Sequence, residues 1–275
     1  MNNTVKRTLS GICFLAIVIG GLLVNKYLYA ALITFMMVTM LYEFYRMTMG
    51  ELFPRTRALA IVLGCCSFLT LFFVMAFRLD IRLVGISAIL LLLLMVSTLM
   101  VKDKADFKLF SFLYTGLMYI AVPLTLSNFV VFDKDGAFNG MPMLAFFIII
   151  WASDVGAYCV GMLLGKYSRK LFPSVSPKKT WAGFWGGLAF AILAGLILVW
   201  TGLWTYPWYH AIILAAIMHV AGVFGDLFES QWKRVYGVKD SGNIIPGHGG
   251  LLDRFDSTLM AMPFGAIYLA LFDLL

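Results

Sequence analysis

Charge is what this sequence has least of. Asp, Glu, Lys and Arg make up 13% of its 275 residues and hydrophobic types 62%, whereas an ordinary soluble domain is about 25% charged. That balance leaves too little polar surface for a water-soluble globule and excludes a large soluble domain. Cysteine is scarce as well. Cys13, Cys65, Cys66 and Cys159 all lie inside apolar runs, with no CxxC or extracellular-loop spacing, so they read as small core residues rather than a disulfide framework or metal site. Acidic residues number 14 against 21 basic ones, a formal charge of +7. With so few charges in all, basic residues kept at one face of a membrane explain the excess better than nucleic acid does, and no nucleic-acid partner is expected. The run 8–25 follows Lys6 and Arg7 but lacks a small-x-small cleavage site after it, so it reads as an uncleaved first span.

What the chain has instead is a succession of uncharged stretches, each near the roughly 20 residues that one spanning helix needs. They fall at 8–25, 27–42, 58–77, 83–101, 109–132 and 140–165, the last with Asp154 inside it. From Thr180 to Gly225 no charge occurs at all. Gly202 to Pro207 divides that stretch into helices near 181–202 and 208–230, because Gly and Pro are poor helix formers and Trp204, Tyr206, Trp208 and Tyr209 suit a membrane interface. A final run, 257–275, makes the ninth. The expected fold is all-α: a polytopic integral membrane helix bundle of about nine transmembrane helices.

Alternating those spans puts 17 of the 21 Lys and Arg on one side, in the N-terminus and the loops 43–57, 102–108, 166–179 and 231–256. Only Lys26, Arg78, Arg82 and Lys134 fall on the other. The positive-inside bias then sets the N-terminus and the two late loops in the cytoplasm, and the protein in the cytoplasmic (inner) membrane. The chain divides into 1–140, a hydrophobic scaffold rich in Leu, Ile, Met and Phe, and 141–275, where small and polar residues enter the helices and the cytoplasmic loops 166–180 and 231–256 occur. Ser153, Ala157, Gly161 and Gly165 repeat every four residues, as do Gly183, Gly187, Ala191 and Gly195. Each set makes a smooth stripe on which another helix can pack closely.

Ionisable groups inside spans are costly and so become functional candidates. Asp154 is one, with Tyr158 a turn further on. Asp226 is another, on a helix face that also carries His219, Glu229, Ser230 and Lys233. His219 by itself reads as a satisfied core histidine. The following loop concentrates Lys233, Arg234, Lys239 and Asp240, then Pro246-Gly247-His248-Gly249-Gly250, then Asp253, Arg254 and Asp256. Its glycines allow positive φ and close backbone approach, its basic residues donate to phosphate oxygens, and its carboxylates suit Mg²⁺, which takes one or two of them together with substrate phosphates. Ser176-Pro177-Lys178-Lys179-Thr180 stands directly before a helix that opens Trp181-Ala182-Gly183. A helix start of that kind receives an anion readily, although positive-inside anchoring alone also places lysines there. Carboxylates and cations facing one leaflet surface describe phosphoryl or nucleotidyl transfer.

These residues resemble a known family. Ser230-Gln-Trp-Lys233-Arg234, Lys239-Asp240-Ser-Gly, Pro246-Gly-His248-Gly-Gly and Asp253-Arg254-Phe-Asp256-Ser257 look like the C-terminal signature of the phosphatidate cytidylyltransferases (CDP-diacylglycerol synthases). Gly225-Asp226-Leu227, Trp151-Ala-Ser153-Asp154 through Ala157-Tyr158 to Gly165-Lys166, and Ser176-Pro-Lys178-Lys179-Thr180 fit too, so the resemblance covers about 151–257. One departure is Ala182, where the family usually has Glu. The resemblance implies synthesis of CDP-diacylglycerol and pyrophosphate from phosphatidic acid and CTP, by a homodimer embedded in membrane lipid with Mg²⁺ and a second cation such as K⁺. Carried over, it makes Asp226, Asp253, Lys233, Lys239 and Asp240 catalytic. Lys178, Lys179, Thr180, Ser230, Arg234, His248, Arg254 and Asp154 would bind substrate, and Asp226, Asp253 and Asp256 would hold metal. Two other readings compete: a CTP-dependent transferase acting on an ether lipid or polyprenyl phosphate, and an ion-coupled transporter built on Asp154, His219 and Asp226.

Overall fold

The computed structural model describes residues 3–99, 106–245, 247 and 249–274. It is helical nearly throughout. The elements are α1 (Asn3–Leu23), α2 (Lys26–Met49), α3 (Pro54–Phe77), α4 (Val84–Thr98), α5 (Ser111–Gly116), α6 (Val122–Val131), α7 (Met141–Leu164), α8 (Trp181–Trp200), α9 (Trp208–Val235) and α10 (Leu252–Leu271). A π turn, Leu117–Ala121, joins α5 to α6, so among the described residues one helix occupies each of the nine expected runs. The π turn ends where Pro123, with no N–H of its own, has nothing to donate to the carbonyl one turn back. Among the described residues six helices are long and apolar enough to cross a membrane: Lys26–Met49, Pro54–Phe77, Phe107–Val131, Met141–Tyr167, Trp181–Trp200 and Trp208–Val235. Ser10–Leu23 and Ile81–Ser97 are shorter apolar helices. Outward residues such as Leu99, Leu163 and Trp200 are exposed, as the lipid-facing side of such helices requires. The chain is a polytopic helical membrane protein. The cysteines depart from expectation: Cys13 and Cys159 are exposed and Cys65 and Cys66 half-buried, because a lipid-facing helix surface admits a small apolar side chain as readily as a core does.

The chain forms two compact units. The first comprises Met1–Asn139 and Asp240–Arg254. Its α1 and α2 are joined through Val24 and Asn25, and the Asn25 side chain accepts from the N–H groups of Tyr27 and Leu28, capping α2. Tyr29 is fully buried among the rings of Phe68, Phe72, Phe132 and Phe138, with centroids 5.7–6.5 Å away. Its hydroxyl meets the Ser127 Oγ at 2.6 Å, the partner that a buried phenol needs.

The second unit comprises Gly140–Lys239 and Phe255–Leu275. Here the small-residue stripes do face one another. A methyl group on Gly187 would stand 3.0 Å from the Ser153 carbonyl oxygen, and one on Gly183 3.0 Å from that of Ala157, so α7 and α8 touch backbone to backbone. Gly195 sits similarly against the Ala211 carbonyl of α9, at 3.1 Å. Gly225 of α9 makes the closest of these approaches to backbone, a Cβ there standing only 2.5 Å from the Asp256 carbonyl oxygen of α10.

Candidate active site

The close approach at Gly225 brings Asp226 and Glu229 of α9 beside Asp256 of α10. Asp226 is about one-third exposed, and its Oδ1 accepts from the Ser230 Oγ at 3.1 Å. Its Oδ2 pairs with the Lys179 Nζ at 2.5 Å. One turn on, Glu229 is 1% exposed and its Oε2 accepts from the Lys233 Nζ at 2.8 Å. The helical period that put Asp226, Glu229, Ser230 and Lys233 on one face in the sequence is what assembles this set. Asp256, one residue ahead of the last apolar run, shares a hydrogen bond with Glu229; its carboxyl is pushed up to about 6, first by burial and then by the neighbouring Asp226 carboxylate. A carboxyl set beside the Asp226 carboxylate in this way suits a divalent cation held between them and phosphate. Among the described residues no group of three or more His, Cys, Asp or Glu side chains makes a metal shell by itself.

His219, higher on α9, is buried against the Phe184 ring and bonded through Nδ1 to the Ser153 Oγ at 2.7 Å. It is packed in the core as expected, but it is satisfied at one nitrogen only: among the described residues the buried Nε2 has no hydrogen-bond partner.

The 166–180 segment is not the plain loop the sequence suggests. It folds as an antiparallel hairpin of β1 (Lys170–Phe172) and β2 (Ser176–Thr180), pairing Lys170 with Thr180 and Phe172 with Ser176. The hairpin carries Lys179 to Asp226, while Lys178 is exposed. It also fills the start of α8. Trp181 N–H donates to the Arg169 carbonyl, Ala182 N–H to the Ser168 Oγ and Gly183 N–H to the Thr180 Oγ1, at 3.0, 2.9 and 3.2 Å. An anion was expected to find free N–H groups there; three of them are already taken by protein. Thr180 is thus a helix cap, buried at 5% exposure.

In the first unit the glycine-rich segment is bound to itself and to α2. Gly247 and Gly249 have φ of +77° and +83°, as the loop reading requires. Asp253 Oδ2 accepts from the Ser241 N–H, the Ser241 Oγ and the Gly250 N–H at 2.9, 3.0 and 2.8 Å. Glu43 of α2 joins it, accepting from the N–H groups of Leu251 and Leu252 at 3.1 and 2.9 Å. Lys239, Asp240 and Arg254 are exposed on this segment or beside it, Arg234 is exposed at the end of α9, and Asp154 is exposed on α7. His248 lies outside the described residues. Glu43 was missed because the second span was drawn to residue 42, within a scaffold read as nearly devoid of polar residues. An acid directly continuing an apolar helix was the available signal.

The molecule is a polytopic helical membrane protein in which acidic and basic side chains pair where helices close together. The cytidylyltransferase family matches residues 5–272, and the chain belongs to that family. It is 40% identical over 182 residues to the phosphatidate cytidylyltransferase of Bacillus subtilis, a stretch covering 66% of each chain. It is 39% identical over 155 residues to the protein of that name from Staphylococcus epidermidis and 37% over 154 residues to that from Staphylococcus haemolyticus, covering 56% of this chain and 58% of theirs in both cases. The aligned stretches span less than two thirds of these relatives' own length.

Proposed function

We propose that the protein is a CTP:phosphatidate cytidylyltransferase acting at the cytoplasmic face of the inner membrane. The single observation that carries this reading is the cluster of Lys179, Asp226, Glu229, Lys233 and Asp256 in a chain of the cytidylyltransferase family. In the reaction a phosphate oxygen of phosphatidic acid attacks the α-phosphorus of CTP. The bond from that phosphorus to the bridging oxygen breaks, and pyrophosphate leaves with the electron pair. The attacking oxygen is already anionic at neutral pH, so the protein's work is positioning and charge neutralisation rather than base catalysis.

Asp226 and Asp256, with Asp253 as the family pattern implies, would hold Mg²⁺, which supplies charge neutralisation at the phosphates when bound. Lys178, Lys179, Lys233, Arg234 and Arg254 hold phosphate oxygens. Thr180 fixes the helix start behind the two lysines. Ser230 orients the Asp226 carboxylate. By the family resemblance Lys239, Asp240, Asp154 and His248 would contact substrate, and on the charge argument His248 would orient a ligand instead of removing a proton. A second cation such as K⁺ and a homodimeric state follow from the family resemblance.

The test is turnover of labelled CTP with phosphatidic acid, and with other lipid phosphates, by the purified protein in detergent. CDP-diacylglycerol should form only with Mg²⁺, and Asp226→Asn should lower turnover by about 100-fold or more without changing elution or melting. A fully active Asp226→Asn protein would overturn the site, and a silent wild type would overturn the reaction.

A further inference from the structure

Glu43 belongs to a helix whose remaining residues are apolar or small for most of its length, yet it is 5% exposed and charged groups are costly there. Among the described residues its partners are backbone N–H groups and a serine hydroxyl, not a cation. Oε1 accepts from Leu251 N–H and Oε2 from Leu252 N–H, with the Ser241 Oγ at 3.5 Å. Leu252 opens α10, so a carboxylate 209 residues earlier caps this helix where its orphan donors and positive dipole end lie. Two glycines close on the same carboxylate. A Cβ on Gly242 would collide with Glu43 Oε1, and one on Gly250 would stand 2.8 Å from Oε2. Asp253 ties Ser241 to Gly250 from the other side. The two ends of the glycine-rich loop, 241–242 and 250–252, are therefore held by two carboxylates, and the one on α2 belongs to no motif that the family resemblance supplies.

We infer that Glu43 is a positioning residue for nucleotide binding: it holds the two ends of the loop, 241–242 and 250–252, in their binding-ready arrangement before the triphosphate arrives. This rests on the proposed reaction. The physical consequence is a population effect. Loosening the anchor leaves only a fraction of molecules with the loop formed, and apparent affinity falls by that fraction, while saturating nucleotide restores the ordered state. Glu43→Gln keeps the shape but turns an amide N–H₂ toward one of two donors, removing one anchor. Glu43→Asp keeps the charge and draws it back by one methylene.

The experiment uses the full chain in detergent. Amide hydrogen exchange within 241–252 should quicken about tenfold in Glu43→Gln and less in Glu43→Asp, with α8 and α9 unchanged. With phosphatidic acid and Mg²⁺, the KM for CTP should rise about tenfold while kcat stays within about twofold. Unchanged protection overturns the inference, and so does a fall in kcat at constant KM, the mark of a merely damaged fraction. A wild type that turns over no CTP defeats the proposed reaction instead, and the exchange measurement still decides whether Glu43 anchors the loop. If Glu43→Gln does not fold, Glu43→Asp carries both measurements.

Discussion

Glu229 and Lys233 are buried side by side on one turn of α9, at 1% and 9% exposure. Desolvating both charges consumes most of what their attraction returns, so the pair is weak evidence for stability, but leaving one of them alone is expensive. Glu229→Ala should therefore destabilise the protein by about 3–5 kcal/mol, and adding Lys233→Met should recover most of that loss. Denaturation in mixed detergent reads both; a double variant no more stable than the single one would sink the argument. At this scale the sequence was legible wherever residues share a helix. Glu229, Ser230 and Lys233 follow Asp226 at spacings of three, four and seven. Glu43 does not, because its partners lie 208 and 209 residues away and no local period connects them.

Helix packing depends on particular missing atoms. Gly225 permits α9 to approach α10 until only 2.5 Å separates a would-be Cβ from a carbonyl oxygen, and backbone cannot swing aside as a side chain can. Gly225→Ala should cost about 1–3 kcal/mol in strain. It should also lower turnover by more than tenfold by moving Asp226 away from Asp256, whereas Gly202→Ala is a poor control because its φ is +71°; Gly20, with open space around it, serves instead. Equal activity in Gly225→Ala and Gly20→Ala would show that the approach does not matter. The stripes on α7 and α8 were readable because they repeat every four residues. The hairpin was not: Ser-Pro-Lys-Lys-Thr has no alternation, and what holds it is the closure of Ser168 and Arg169 onto the start of α8.

At the scale of the whole molecule, each of the nine expected apolar runs is helical among the described residues, since length and hydropathy are what a bilayer reads. Boundaries moved where polar residues extend a helix past the hydrocarbon, as at α9, which continues to Val235 instead of ending near 230. The orientation proposed from the basic loops makes a direct prediction. In a variant freed of its four cysteines, Lys170→Cys should react with an impermeant thiol reagent from the cytoplasmic side and Asp135→Cys from the opposite side; both positions are exposed. Labelling from the same side in sealed vesicles would refute the nine-span alternation.

The filled start of α8 has one more consequence. A phosphate held by free backbone N–H groups meets donors fixed in place and lightly affected by electrolyte. With those donors committed to Ser168, Thr180 and Arg169, and Lys179 paired with Asp226, attraction on this hairpin is left to exposed basic side chains such as Lys178. Their pull falls off over a Debye length of about 8 Å at physiological ionic strength. On the proposed reaction the hairpin would gather anions loosely and let them go, its grip set by the salt around it as much as by its shape.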